Sequence, residues 1–140
     1  MHDYCRALDN EVMLKRARQY RLPISDLQLE KPILLHGPVA AEEVREELGV
    51  EDEDVYEAIY WHTTGRPKLG LLGQALYLAD FAEPTRPYPE AAQVRELLRK
   101  DSFEAAVLFA AHAKLHYVKK KNADNPDGHA FYLWLQQAYR

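Results

Sequence analysis

The 140-residue sequence contains a single cysteine, Cys5, so no internal disulfide can form and neither a thiolate zinc site nor a disulfide scaffold is available. No stretch approaches the run of about 18 apolar residues that a membrane span needs, and the N-terminus lacks the charged and apolar regions of a signal peptide. A soluble protein of the cytoplasm is the expectation. Positive charge is also in short supply: a net charge of −4 excludes the basic field that binds a nucleic-acid polymer through its phosphates. A small anion could still be held by a local group of arginines and metal ions. Period-two runs rich in Val, Ile and Thr are missing, as are internal repeats and low-complexity linkers.

What is present is apolar periodicity of the helical kind, for instance Phe103, Val107, Ala110 and Tyr117. The expectation is an all-α bundle of about six to seven helices forming one domain over 1–140. Pro23 and Pro32 bracket a loop. One helix opens near His36-Gly37-Pro38 and closes at Gly49; another starts after Asp52 and ends at Gly65 and Pro67. Further helices are expected at 70–82, 90–99, 102–121 and 127–138, with Pro84 to Pro89 as a rigid turn. Tyr4 to Leu8 reads as the end of a helix.

Five residues carry the chemistry: His2, Asp3, His36, His62 and Asp80. Imidazole and carboxylate donors together suit zinc, iron or manganese. Asp3 could bridge two ions, and a pair about 3.5 to 4 Å apart can polarise a phosphoryl group and generate a hydroxide at neutral pH. Asp80 lies in the apolar string Ala75-Leu76-Tyr77-Leu78-Ala79-Asp80-Phe81-Ala82, where an unpaired carboxylate is costly. A cation must meet it: Arg86, Arg66 or a metal.

The strings Leu35-His36-Gly37-Pro38, Tyr60-Trp61-His62-Thr63-Thr64-Gly65-Arg66-Pro67 and Tyr77-Leu78-Ala79-Asp80-Phe81-Ala82-Glu83-Pro84-Thr85-Arg86, after the His2-Asp3 opening, resemble in order and separation the YqeK family of HD-domain hydrolases. The resemblance covers residues 1 to about 105. It implies an HD-type helical fold and a centre of two divalent ions, iron before manganese or zinc, that splits diadenosine tetraphosphate into two ADP. By position, His2 and Asp3 match the family's His-Asp pair, with Asp3 as the bridge; His36 and His62 match the ligands of the second metal, and Asp80 closes the first. The catalytic set expected is Asp3, His62, Arg66 and Arg86, with Arg6, Thr63, Thr64, Arg66 and Arg86 binding substrate. A guanidinium fork suits bidentate phosphate recognition. The threonines could instead cap local carbonyls. Glu83 could hold a ligand histidine, though an ion pair with Arg86 is preferred.

The family's ligand set includes a further histidine on a helix upstream of the His-Asp pair, for which this chain has no residues. The expectation is therefore an N-terminally truncated domain. Two alternatives stay open: a non-catalytic nucleotide-binding or interaction module, and a nucleotidase or phosphoesterase of other substrate choice. The expected partner is a dinucleoside polyphosphate, with a homodimer possible. His112 and His116 have the i, i+4 spacing of a metal grip but precede Lys119-Lys120-Lys121, and a solvated or packing role is preferred for them. His129 is a weak candidate, Trp134 and Tyr139 are core or interface aromatics, and Glu51-Asp52-Glu53-Asp54 is a solvated helix cap.

Overall fold

Residues 1–120 and 125–139 are described by a computed structural model. After a chain of tight turns over residues 2–8, Asp9 accepts the Val12 N–H at 3.0 Å and opens α1 (Asn10–Gln19), which buries Met13 and Ala17 one turn apart. The stretch between Pro23 and Pro32, expected as a loop, carries α2 (Asp26–Glu30). The reason is a capping box in which Ser25 and Gln28 satisfy each other's backbone N–H groups. A 3-10 turn (Pro32–Leu35) leads into α3 (His36–Leu48), which Gly49 closes in the left-handed conformation at φ 65°.

Asp52 caps α4 (Glu53–Trp61) through the N–H groups of Asp54 and Val55, so the acidic run is a helix start as expected. That helix ends at Trp61, short of the expected Gly65. His62, Thr63 and Thr64 form a turn, and the Gly65 N–H reaches back to the Trp61 carbonyl at 2.8 Å. Then follow α5 (Leu71–Phe81), α6 (Pro89–Arg99), α7 (Phe103–Lys120) and α8 (Pro126–Ala138), all within two residues of the expected bounds. Lys121, the last of the basic triplet, lies outside the described residues. Eight α-helices and no strand are seen among the described residues, one or two more helices than expected: α1 and the short α2 were not anticipated, while Tyr4 to Leu8, expected as the end of a helix, lies in the turns that precede α1. None is long and apolar enough to cross a membrane.

Two apolar clusters organise these helices. Cys5, Met13, Leu35, Val39, Val44 and Ile59 pack α1, the 3-10 turn, α3 and α4 together. Tyr77, Leu78, Val94, Val107, Phe131 and Leu135 do the same for α5 to α8. Burial of a side chain such as Phe131, fully enclosed, contributes about 1.5 to 3 kcal/mol. Helix α4 joins the halves, packing on α3 on one side and on α5 on the other. His36, His62 and Asp80 therefore stand at ends of helices along the seam between the two cores.

Gly65 is a fixed point of that seam: φ is 73°, and a Cβ there would stand 2.1 Å from the ring of Phe131. Gly65→Ala is expected to lower unfolding free energy by roughly 2 to 4 kcal/mol in denaturant titrations. Gly49→Ala, at a similar φ but in open space, is expected to lose only about 1 kcal/mol. Equal losses would show that the Phe131 contact carries no weight.

Candidate metal centre

The site begins where α3 meets the end of α4. A Cβ on Gly37 would lie 2.9 Å from the Tyr60 carbonyl and 3.0 Å from that of Ile59, so only glycine lets the start of α3 sit against these carbonyls. Next to it, His36 donates from Nδ1 to the Ile33 carbonyl at 2.6 Å, and His62 donates from Nδ1 to the Ile59 carbonyl at 2.7 Å. These bonds select the tautomer, leaving Nε2 of each neutral ring as a bare lone pair. The two Nε2 atoms face each other at 2.9 Å. Both rings are buried, His62 completely.

Asp3 enters the same space from the N-terminal turns. Its Oδ1 lies 3.3 Å from His36 Nε2 and 3.5 Å from His62 Nε2, is itself buried, and receives no hydrogen bond. Its Oδ2 lies 3.4 Å from His2 Nε2, which is also 3.4 Å from Asp80 Oδ1. The segment is pinned by Cys5, whose side chain is enclosed in the first core, and by the Tyr4 hydroxyl on Glu47 at 3.2 Å. Burial pushes the Cys5 thiol up to about 11, so it serves as an apolar plug rather than a ligand.

All five residues proposed from the sequence as ligands are thus joined in one chain of contacts, Asp3 holding its middle. Lone pairs from His36, His62 and Asp3 converge with no proton to share, which is repulsive unless a cation stands among them. Donors 2.0 to 2.2 Å from one ion are about 3.0 to 3.4 Å from each other, close to the spacings seen. The donor set fits a divalent cation.

Electrostatics keep the donors ready. Burial pulls His62 down to about 4, with the neighbouring His36 adding to the effect. Burial likewise lowers His36. Burial alone would raise the Asp3 carboxyl, but His2, His36, His62 and Arg6 together hold it below its ordinary value.

Around this cluster the other expected residues divide. Arg86 donates to both the carboxylate and the backbone carbonyl of Asp80 at 3.3 Å, so Asp80 meets an arginine as well as His2. Arg6 is exposed and felt by Asp3 and His36 through its charge. The Thr63 hydroxyl is 3.5 Å from His36 Nε2, while that of Thr64 is spent on the Gly65 carbonyl. Arg66 pairs with Glu57 at 3.2 Å and lies over Trp61, on a surface pocket of about 220 Å³ with no cluster residue in its lining. Glu83 takes neither role expected of it: it accepts from the N–H and hydroxyl of Thr85, because the turn after α5 folds back on it. His112, His116 and His129 are exposed.

Three contributors escaped the sequence reading. Gly37 reads only as part of a helix start. Arg95, on α6, donates to the Ala82 and Glu83 carbonyls that end α5. Lys114, on α7, donates to the Thr63 carbonyl at 2.9 Å; a lysine inside Ala110-Ala111-His112-Ala113-Lys114-Leu115 was the available signal.

The chain is 36% identical over 134 residues to the symmetrical bis(5′-nucleosyl)-tetraphosphatase of Bacillus subtilis, covering 96% of this chain and 72% of that protein. It is 38% identical over 138 residues to the enzyme of the same name from Halalkalibacterium halodurans, covering 97% and 73%. The crystal structure of a predicted HD superfamily hydrolase involved in NAD metabolism from Clostridium acetobutylicum superposes with a TM-score of 0.89 at 27% identity, over 98% of this chain and 72% of that one. No family model matches the chain.

The depressed histidines have a measurable consequence in protein stripped of metal by a chelator. Below about pH 6.5 an unfolded chain protonates its histidines, whereas folded His62 stays neutral down to about 4. The unfolded state then binds the extra proton, so the His62 contribution to stability falls as pH drops through that window and levels off on either side. Denaturation midpoints at pH 4 to 8 should show this slope, reduced in His62→Gln; a flat profile would contradict the geometry.

Proposed function

The chain belongs to the family of symmetrical bis(5′-nucleosyl)-tetraphosphatases, and from that membership we propose that it hydrolyses diadenosine tetraphosphate at the middle of its phosphate bridge, releasing two molecules of ADP. The observation that carries this reading is the cluster in which Asp3 joins the His36–His62 pair to His2 and Asp80. On this reading His36, His62 and Asp3 would hold one divalent ion, and His2, Asp80 and Asp3 would hold a second. Iron is our assignment; manganese and zinc accept the same donors. Ions bound there supply Lewis-acid activation of the phosphoanhydride and of the attacking water.

The chain's own residues supply position and charge. Water's oxygen bonds to one of the two central phosphorus atoms; the bond from that phosphorus to the bridging oxygen breaks, and the oxygen leaves on the other ADP. Each product is anionic, so cations must face the cleaved bridge although the protein as a whole carries −4. Arg86 meets that need with its guanidinium oriented by two bonds to Asp80, and charge-assisted contacts of this kind strengthen as negative charge grows. Arg6, exposed beside Asp3, binds an outer phosphate. Thr63 donates to a phosphoryl oxygen at the His36 edge. Thr64 and Arg66 join only if they release the Gly65 carbonyl and Glu57. His62, neutral at pH 7, remains a nitrogen donor throughout.

Asp80→Ala removes a proposed ligand and the residue that orients Arg86. Turnover is expected to fall at least about 100-fold, with a matching loss of bound metal by elemental analysis. Chromatography of the parent reaction should show ADP alone, since asymmetric cleavage would give AMP and ATP. Undiminished turnover in Asp80→Ala, or AMP among the products, would overturn the assignment.

A further inference from the structure

Lys114 reaches the seam from α7, a helix that contributes none of the five cluster residues. Its Nζ donates to the carbonyl of Thr63, the residue after His62, and lies 4.0 Å from the ring centroid of Tyr77, one turn before Asp80 on α5. The ammonium is thereby held against the turn that carries His62 and Thr63 and against the helix that carries Asp80. An ammonium has three donors. One is taken by the carbonyl and one is directed at the aromatic face, and among the described residues no carboxylate lies within ion-pair distance of it. A cation in this position has lost much of its water without gaining a full counter-charge. Burial accordingly pulls Lys114 down to about 8; Asp80 draws it back upward and Arg86 pushes it further down, which sets both of those groups within its electrostatic reach.

We propose that Lys114 is a phosphate-binding residue, its remaining N–H contacting a phosphoryl oxygen of the ligand held at the cluster, alongside Arg86. Its rigid seating distinguishes it from the exposed Arg6: the carbonyl and the ring fix the ammonium before any ligand arrives, so little side-chain freedom is lost on binding. The inference rests on the phosphohydrolase reading only for the identity of the phosphate's carrier.

The test uses metal-loaded protein, with inorganic phosphate and ADP as separate probes in titration calorimetry. Lys114→Met keeps an unbranched apolar stem against Tyr77, and Lys114→Gln serves if that variant does not fold. The expected result is about 10- to 100-fold weaker binding of both probes, with unchanged metal content and melting temperature. Lys114→Arg should recover binding to within about threefold, because it restores a charge that can still donate. Phosphate binding equal to the parent's would overturn the proposal. So would weakened binding that tracks loss of metal or of folded protein in both Met and Gln variants, since Lys114 would then be a structural tie between α7 and the α4 turn. A parent that binds phosphate through Lys114 yet leaves diadenosine tetraphosphate uncleaved would retain the subsite and defeat the substrate assignment instead.

Discussion

Everything at the centre depends on the close approach of α3 to the last turn of α4 at Gly37. With any side chain there, the Tyr60 and Ile59 carbonyls would push the helices apart. His36 and His62 meet because the backbones meet, and each ring is then locked by its own carbonyl three residues upstream. The result is two nitrogen lone pairs 2.9 Å apart, with a buried carboxylate oxygen beside them. Left to itself this arrangement is repulsive, so the two apolar cores on either side must hold it together. A bound cation turns the same repulsion into coordination, which makes metal binding a source of folding free energy as well as of chemistry.

The rest of the molecule can be understood as support for that point. The first core fixes the His2-Asp3 segment through Cys5 and orients α3; the second sets the end of α5, where Asp80 lies, and presents Arg86 and Lys114. Gly65 allows Phe131 of the last helix to press against the turn that carries His62. Arg16 and the buried Glu43, 2.8 Å apart, tie α1 to α3. Distant parts of the chain therefore converge on one seam, and a disturbance in either core reaches the site.

Much of this was legible in the residues. Periodicity and breakers found α3 and the four helices from α5 onward because each is long, amphipathic and bounded by Gly, Pro or a polar cap. The five proposed ligands were legible as motifs; His36, His62 and Asp80 meet because their motifs fall at helix ends, while His2 and Asp3 arrive on the turns before α1. What escaped was decided locally by hydrogen bonds or globally by packing. Helix α2 hides between two prolines because its capping box is a side-chain reciprocity rather than a pattern of hydrophobicity. The early end of α4 depends on Gly65 turning against Phe131, some 66 positions away. Glu83 chose Thr85 over Arg86 because the turn brings Thr85 back to it, while Arg86 was claimed by Asp80. Lys114 gains its meaning only from Thr63 and Tyr77, distant in sequence.

If Asp3 is shared by two cations as proposed, one would be held with His36 and His62 and the other with His2 and Asp80. An anomalous-difference map of crystals of the metal-loaded protein, recorded at the absorption edge of the bound element, tests it directly. Two peaks are expected, one on each side of the Asp3 carboxylate, each within coordination distance of its named donors. A single peak, or peaks that leave Asp3 or the His36–His62 pair without a metal, would contradict it.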